Sequence, residues 1–133
     1  MPDQAHLFAK GGSFLIVEDD TIIVIMLEFM LNEAGAQSIS VANSAVQALS
    51  LIESNTFDVA IFDRQVRDGV SYSAAIQARK QGSTIIIASG MDELDLPDEL
   101  SDAILLHKPF ELAHFEQAVL EAVGRRCGAQ SVS

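Results

Sequence analysis

The chain has 133 residues and carries 19 Asp and Glu residues against 8 Lys and Arg, which gives a formal net charge of −11. Its length fits a single domain. Leu, Ile, Val and Phe make up about a third of the chain, well above the roughly 20% below which charged chains stay disordered. Nucleic acids and anionic membranes both attract basic surfaces, so the acidic balance excludes both as expected partners.

The ends of the chain and its single cysteine indicate where the protein works. Cys127 has no partner for an internal disulfide, which fits a reducing compartment. The N-terminus lacks the apolar core of a secretory signal, and the longest apolar run, Ile22–Leu27, is too short to span a bilayer. We therefore expect a soluble cytoplasmic protein with an N-terminal tail at 1–12, one domain at 13–123 and a C-terminal tail at 124–133.

Short apolar runs recur along the chain and are bounded by turn or acidic residues. Their apolar residues do not alternate with polar ones, which is typical of strands that are buried on both faces of a parallel sheet. Five runs are predicted as strands, namely Phe14–Val17, Ile39–Val41, Val59–Phe62, Ile85–Ala88 and Ile104–Leu106.

Helical patterns separate these strands. The first helix follows Asp20 and Thr21 and ends near Glu33, and a capping box formed by Ser44 and Gln47 opens the second. The predicted third, fourth and fifth helices lie near Val70–Gln81, within Met91–Ser101 and near Glu111–Val123. Pro97 should make the fourth helix short or irregular. The alternation predicts an α/β fold with a doubly wound, five-stranded parallel sheet and five flanking helices.

Acidic, hydroxyl and ammonium side chains stand where the strands end. Glu18 and Asp19 follow the first strand, Asp63 the third, Ser89 the fourth and Lys108 the fifth. In doubly wound folds these carboxyl ends meet at one edge of the sheet, where ligands bind. Two like charges about 4 Å apart repel by about 4 kcal/mol in a partly buried site. Three converging carboxylates therefore need a cation, and their hard oxygen atoms suit Mg²⁺.

This ordered set of residues resembles the receiver domain of bacterial response regulators in two-component signalling. The resemblance runs from about Ser13 to Val123 and includes Glu18-Asp19, Asp63, Ser89 and Lys108-Pro109. It implies a flavodoxin-like strand order 2-1-3-4-5. It also implies a cis peptide bond before Pro109, and a face formed by the fourth helix, fifth strand and fifth helix that responds to phosphorylation and binds a downstream protein.

The resemblance further implies that Asp63 accepts a phosphoryl group from the phosphohistidine of a sensor histidine kinase. Mg²⁺ would be held by Glu18, Asp19, Asp63 and the backbone carbonyl of Gln65. Ser89 and Lys108 would bind the phosphoryl group. The chain would then be a single-domain response regulator in a phosphorelay. It would assist its own phosphorylation and dephosphorylation without being an enzyme, and would signal through protein contacts or act as a phosphate sink.

Three positions depart from the usual receiver pattern. Arg67 stands where a Pro is common, Arg64 directly follows the phosphoacceptor and could reach a phosphate or neighbouring acids, and Leu105 replaces the aromatic switch residue. The short loop after Asp63, Leu105 and the Phe-rich flanks resemble a subclass of stand-alone receivers associated with the HWE and HisKA2 histidine kinases. Whether phosphorylation of this site changes the output face in the usual way is therefore an open question.

The first helix carries two apolar faces. One set has helical spacing and should face the sheet, namely Ile23, Met26, Leu27, Met30, Leu31 and Ala34. A second row, Ile22, Ile25 and Phe29, should be exposed. We expect this exposed row to dock the kinase, with a homodimer contact as the alternative.

The sequence leaves one alternative function open and disfavours two others. A phosphorylation-independent pseudo-receiver that acts only as a binding module remains the alternative. A flavodoxin-like electron carrier is disfavoured because acids after the first strand would repel a flavin phosphate. A haloacid-dehalogenase-type phosphatase normally has a second acid two residues after its nucleophile, where this chain has Gln65.

Overall fold

The computed structural model describes residues 12–90 and 96–132, and side chains up to Arg125 in the last helix. Within these ranges the chain forms seven strands, four α-helices and one 3₁₀ turn. In chain order they are β1 (Ser13–Val17), α1 (Thr21–Glu33), β2 (Ser38–Ala42), α2 (Ala45–Ser54), β3 (Val59–Asp63), β4 (Gln65–Val66), β5 (Gly69–Val70), α3 (Tyr72–Lys80), β6 (Thr84–Ser89), the 3₁₀ turn Asp98–Leu100, β7 (Ile104–His107) and α4 (Leu112–Val132).

Five of the strands form one parallel sheet in the order β2-β1-β3-β6-β7. The two-residue strands β4 and β5 pair separately as an antiparallel hairpin. If this hairpin is set aside, the order is the flavodoxin-like 2-1-3-4-5, so the predicted doubly wound fold is confirmed. The chain reverses its direction of winding between β1 and β3, which makes the carboxyl ends of these two strands the expected ligand crevice.

Both faces of the sheet are covered, which explains the unbroken apolar runs of the strands. Phe14 and Ile16 of β1 point into a core that α1 and α4 share with the sheet. Leu15 and Val17 point into the opposite core, which contains residues of α2, α3 and the 3₁₀ turn. All four side chains are fully buried. Every residue of a central strand therefore has to be apolar until the strand reaches its end.

The starts of α1 and α2 follow the capping signals in the sequence. The Asp20 carboxylate accepts hydrogen bonds from the backbone amides of Ile22 and Ile23 at 3.0 and 3.3 Å. The Ser44 hydroxyl accepts from the Gln47 amide at 3.1 Å, and the Gln47 side chain in turn accepts from the Asn43 amide at 2.9 Å. Helix-end amides that lack a carbonyl partner are thus satisfied by side chains.

The third helix begins two residues later than the sequence pattern predicts. Val70 pairs with Gln65 in the β4–β5 hairpin, so α3 begins only at Tyr72. The hairpin turns at Arg67 and Asp68. Gly69 follows the turn, and its φ of 125° is a conformation that only glycine adopts readily. Gly82, with a φ of 101°, follows the end of α3 as a left-handed cap.

The predicted fourth helix is a single 3₁₀ turn in the part of it that is described. Residues 91–95 lie outside the described residues, and Asp98–Leu100 form one turn directly after Pro97. Proline fixes its own backbone and lacks an amide donor, which is consistent with the short element expected there.

The last helix is longer than the sequence pattern predicts, because it continues beyond Val123 to Val132. Arg125 supports this continuation past Gly124. Its guanidinium forms a 2.7 Å ion pair with Glu121 one turn earlier, and donates to the Asp102 carbonyl at 2.7 Å. No helix within 12–90 and 96–132 combines the length and the apolar character needed to cross a membrane.

Candidate functional site

Glu18, Asp63 and Lys108 meet at the carboxyl edge of the sheet. The Lys108 ammonium lies 3.2 Å from Glu18 Oε1 and 3.2 Å from Asp63 Oδ2. The side chains of Glu18 and Asp63 are only 5% and 11% exposed, whereas Lys108 is 23% exposed. One ammonium group therefore bridges two carboxylates that are largely removed from water.

Asp19 completes an acidic cluster with the same two carboxylates. Each of Glu18, Asp19 and Asp63 offers one carboxylate oxygen, and these oxygens lie within 4.8 Å of one another. Asp19 is exposed while Glu18 is buried, so the cluster opens to solvent on one side. Three hard oxygen donors with an open side fit Mg²⁺, which binds few carboxylates and retains water or phosphate ligands.

The pKa of Glu18 reports the electrostatic balance of this cluster. It is raised from 4.5 to about 7, mainly by burial, and further by the hydrogen bond to Asp63 and the charge of that carboxylate. The charge of Lys108 lowers the pKa of Glu18 but does not cancel the rise. Burial alone would lower the pKa of Lys108, but the charges of Asp63 and Glu18 outweigh burial and raise it. Burial and the neighbouring Asp63 therefore disfavour the charged form of Glu18 more than Lys108 favours it.

Backbone and hydroxyl contacts fix the position of Asp63. The fully buried Ser71 donates from its hydroxyl to the Asp63 carbonyl at 2.7 Å. The Gln65 amide donates to Asp63 Oδ1 at 3.4 Å. On the next strand, the Ala88 carbonyl accepts from the Arg64 amide at 2.9 Å. The acid that ends β3 is thus held on a rigid element. Sequence reasoning missed Ser71, although its place at the start of a helix was visible.

Ser89 and Lys108 are positioned by neighbouring strands. Ser89 ends β6 and is 5% exposed, and its carbonyl accepts from the Lys108 amide at 2.7 Å. The peptide bond between Lys108 and Pro109 is cis, as predicted. Gln65, whose backbone carbonyl was predicted as a metal ligand, is an exposed residue of β4 directly beyond the acidic cluster.

Arg64 and Tyr72 form a contact that the sequence did not reveal. Arg64 donates from Nε to the Tyr72 hydroxyl at 3.2 Å, and its guanidinium carbon lies 5.8 Å from the centre of the Tyr72 ring. The sequence indicated only that Arg64 could reach a phosphate or neighbouring acids. The structure places it against α3, in the geometry of a cation–π contact.

The exposed row on α1 is present. Ile22, Ile25 and Phe29 are 71%, 60% and 63% exposed. Met26 was predicted to face the sheet, and this prediction is wrong because it is 36% exposed. Val24 packs against the core instead. Because Val24 lies three and seven residues before Leu27 and Leu31, the buried stripe runs through these three residues.

Comparisons with known proteins agree with this architecture. The family model described as response regulator receiver domain matches residues 14–120. The transcriptional regulatory protein PdtaR of Mycobacterium tuberculosis is 31% identical over 116 residues, which are 84% of this chain but only 56% of PdtaR. The chain thus spans little more than half the length of that relative.

Two further proteins are similar over most of their own length. The sporulation initiation phosphotransferase F of Bacillus subtilis is 29% identical over 110 residues, or 79% of this chain and 88% of that protein. A crystal structure of a response regulator receiver protein from Sinorhizobium medicae has a TM-score of 0.75 at 24% identity, and the match covers 89% of this chain and 98% of that one. The latter shows a shared fold.

Proposed function

This chain belongs to the response regulator receiver domain family, and from that premise we propose that Asp63 accepts a phosphoryl group from a phosphohistidine of a sensor histidine kinase. Receiver domains are signalling domains that bind Mg²⁺ in an acidic pocket. The observation that carries the proposal is the cluster of Glu18, Asp19 and Asp63 with Lys108 in contact with two of them. That cluster combines a carboxylate nucleophile with groups that can neutralise a phosphate.

The chemistry is the formation of an acyl phosphate. A carboxylate oxygen of Asp63 attacks the phosphorus atom, the phosphorus–nitrogen bond breaks, and its electron pair returns to the kinase imidazole. Glu18, Asp19, Asp63 and the backbone carbonyl of Gln65 would hold Mg²⁺. When bound, Mg²⁺ supplies positive charge that neutralises phosphoryl oxygens.

Lys108 and Ser89 act on the transferred group. The Lys108 ammonium, 3.2 Å from Asp63 Oδ2, can exchange that carboxylate for a phosphoryl oxygen. The Ser89 hydroxyl, at the end of the adjacent strand, can donate a hydrogen bond to the same group. Both interactions stabilise charge that the bare pocket would repel.

The output of this site is a change in protein contacts or the draining of phosphate from a kinase. The added charge of about −1.5 to −2 alters the balance of the pocket and can bias a two-state surface. The match over most of the length of a protein named as a phosphotransferase supports a role in a phosphorelay. We place the protein in the cytoplasm, where histidine kinases hold their phosphohistidine. We expect the output face near β7 to bind a protein.

The exposed row on α1 is the proposed kinase-docking surface. Ile22, Ile25 and Phe29 leave an apolar strip uncovered on the helix that directly follows Glu18 and Asp19. A partner bound there would bring its phosphohistidine close to Asp63. Apolar strips of this kind commonly mark protein contacts.

Phosphotransfer kinetics with the cognate kinase test this docking surface. Phe29→Ser should slow transfer at limiting receiver concentration about tenfold, in line with loss of an interface anchor. Val46→Ser is the matched control, because Val46 is 71% exposed on α2. An equal effect of both variants, or no effect of Phe29→Ser in a folded protein, would contradict docking through this row.

Phosphorylation by acetyl phosphate tests the chemical proposal without a kinase. With Mg²⁺, the wild-type protein should gain the mass of one phosphoryl group, and EDTA or Asp63→Asn should prevent the gain. Asp102→Asn, which removes an acid at the opposite edge of the sheet, should leave it intact. A wild-type protein that gains no mass from acetyl phosphate or from a phosphorylated kinase would instead support the phosphorylation-independent binding module.

A further inference from the structure

We infer that Asp68 is a positioning residue, which ties the hairpin carrying Gln65 to the start of α2 and thereby sets the Mg²⁺ affinity of the site. The inference deepens the proposed function and rests on it. Asp68 itself lies on the surface and is not placed among the metal ligands. Its effect would pass through the backbone of the hairpin.

The contact that supports this inference joins two distant parts of the chain. The Asp68 carboxylate accepts hydrogen bonds from the amides of Ala45 at 2.7 Å and Val46 at 3.1 Å. The sequence separations are 23 and 22 residues. These hydrogen bonds lower the pKa of Asp68. The carboxylate is therefore held as an anion at a helix N-terminus, where the helix dipole also favours negative charge.

Asp68 and Ser44 divide the capping of α2 between them. Ala45 and Val46 provide the first two amides of the helix, which no helical carbonyl can satisfy. Ser44 satisfies the third amide, that of Gln47. The local cap is part of the segment that enters α2, whereas the second cap belongs to the loop after Asp63. Of these two caps, the second connects α2 with the hairpin at the candidate metal site.

The hairpin needs such an anchor at its tip. Its base is fixed, because Ser71 holds the Asp63 carbonyl and Val66 is buried in the core. Its ladder has only two residue pairs, Gln65 with Val70 and Val66 with Gly69. A ladder this short has little stability of its own. We therefore expect the two hydrogen bonds of Asp68 to restrict the tip and, with it, the carbonyl of Gln65.

The coupling must work in both directions. If the clamp between Asp68 and α2 favours Mg²⁺ binding, Mg²⁺ binding must favour the clamp by the same free energy. Mg²⁺ should therefore slow hydrogen exchange at the amides of Ala45 and Val46. If Asp68 only stabilised the fold, Mg²⁺ binding would not change hydrogen exchange at these two amides.

Magnesium titration of metal-free protein, followed by two-dimensional NMR, tests the inference. Asp68→Ala should raise the Mg²⁺ dissociation constant about tenfold, the size seen when partners that orient metal ligands are removed. Ser44→Ala is the matched control, because it removes the neighbouring cap of the same helix without touching the hairpin. It should lower thermal stability and leave the dissociation constant unchanged. Equal effects of the two variants on Mg²⁺ affinity would overturn the inference.

Two more measurements separate positioning from simple charge. Asp68→Asn loses the charge but keeps one acceptor oxygen, so its Mg²⁺ affinity should fall between those of the wild type and Asp68→Ala. Affinity reduced equally by both substitutions would assign the effect to charge and overturn the clamp. In the wild type, Mg²⁺ should slow exchange at Ala45 and Val46, and Asp68→Ala should abolish this slowing. Exchange that Mg²⁺ leaves unchanged in the wild type would also overturn it.

The wild-type titration distinguishes the two proposals. If the wild type binds no Mg²⁺, the proposed function fails. If the wild type binds Mg²⁺, and Asp63→Asn weakens this binding while Asp68→Ala leaves it unchanged, only the clamp fails.

Discussion

Two charged clusters occupy opposite edges of the same sheet. At the carboxyl edge, Glu18, Asp19 and Asp63 form an acidic cluster in which Glu18 is buried, and Lys108 contacts Glu18 and Asp63. At the amino edge, Asp102 forms two hydrogen bonds of 2.9 and 2.7 Å with the Arg79 guanidinium. Arg125 pairs with Glu121 and also binds the Asp102 carbonyl.

The two clusters differ in charge balance and in exposure. At the amino edge two guanidinium groups meet two carboxylates, and all four side chains are 44% exposed or more. The hydrogen bonds and charge of Arg79 lower the pKa of Asp102. At the carboxyl edge the pKa of Glu18 moves in the opposite direction, to about 7. Buried clusters with perturbed pKa values are candidate ligand sites, whereas solvated, paired networks are typical of a protein surface.

The largest expected difference between the clusters is in the rate of phosphorylation after their cations are removed. Lys108→Ala removes the only cation in contact with Glu18 and Asp63 among the described ion pairs. Phosphorylation by acetyl phosphate should slow about a hundredfold, the usual loss when one charge-stabilising donor is removed. Mg²⁺ should bind at least as tightly, because a competing cation is gone.

Arg79→Ala provides the corresponding variant at the amino edge. Its phosphorylation rate, measured by the appearance of phosphorylated protein on an intact-mass time course, should equal that of the wild type. A normal rate in Lys108→Ala, or a slow rate in Arg79→Ala, would remove the functional distinction between the two clusters.

The second-largest expected difference between the clusters is in how stability depends on pH. Glu18 ionises near pH 4.5 when unfolded and near pH 7 when folded. Folding favours the protonated form of Glu18. Its stabilising contribution is therefore fully present below about pH 4.5 and is lost as the pH rises through 7. In metal-free protein this loss is up to about 3 kcal/mol. Glu18→Gln should remove the slope and be the more stable protein at pH 8.

Urea unfolding at pH 5 and pH 8 in the presence of EDTA measures this effect. The two proteins differ only at position 18, so the difference between wild type and Glu18→Gln isolates the glutamate. Mg²⁺ added at pH 8 should restore stability to the wild type more than to the variant. If the free energy of unfolding depends on pH in the same way in both proteins, the raised pKa of Glu18 would be contradicted.

The smallest effect is expected at the amino edge. The pKa of Asp102 is lowered, so its stabilising contribution is lost only as the pH falls through that depressed value. Asp102→Asn should therefore not change the slope of stability between pH 5 and pH 8. Exposed pairs contribute about 1 kcal/mol or less, and salt should reduce the difference in unfolding free energy further. A change in this slope as large as the change produced by Glu18→Gln would contradict the assignment of this cluster to the surface.

The sequence predicted the features that depend on strand burial and strand ends. Because Phe14 to Val17 must face two cores, the run is apolar throughout, and the acids that follow it mark the edge of the sheet. Parallel strands bring such ends together, so the proximity of Glu18, Asp63 and Lys108 followed from topology.

Features that depend on contacts between distant segments could not be predicted. Asp68 looks like an ordinary turn residue before Gly69, and its contact with α2 spans more than twenty residues. Met26 has a spacing that fits burial, but the way α1 lies on the sheet turns Val24 inward instead. Beyond Val123, α4 gains a contact through Arg125, which reaches the Asp102 carbonyl in another part of the chain.

The most direct measurement is the location of the phosphoryl group after reaction with acetyl phosphate and Mg²⁺. Borohydride reduction converts an aspartyl phosphate to homoserine, and peptide mass spectrometry then identifies the modified position. We expect homoserine at position 63 alone, and only when Mg²⁺ is present. Modification at Asp19 or another acid, or at Asp63 without any need for Mg²⁺, would contradict the assignment of the acidic cluster as a magnesium-dependent phosphoacceptor site.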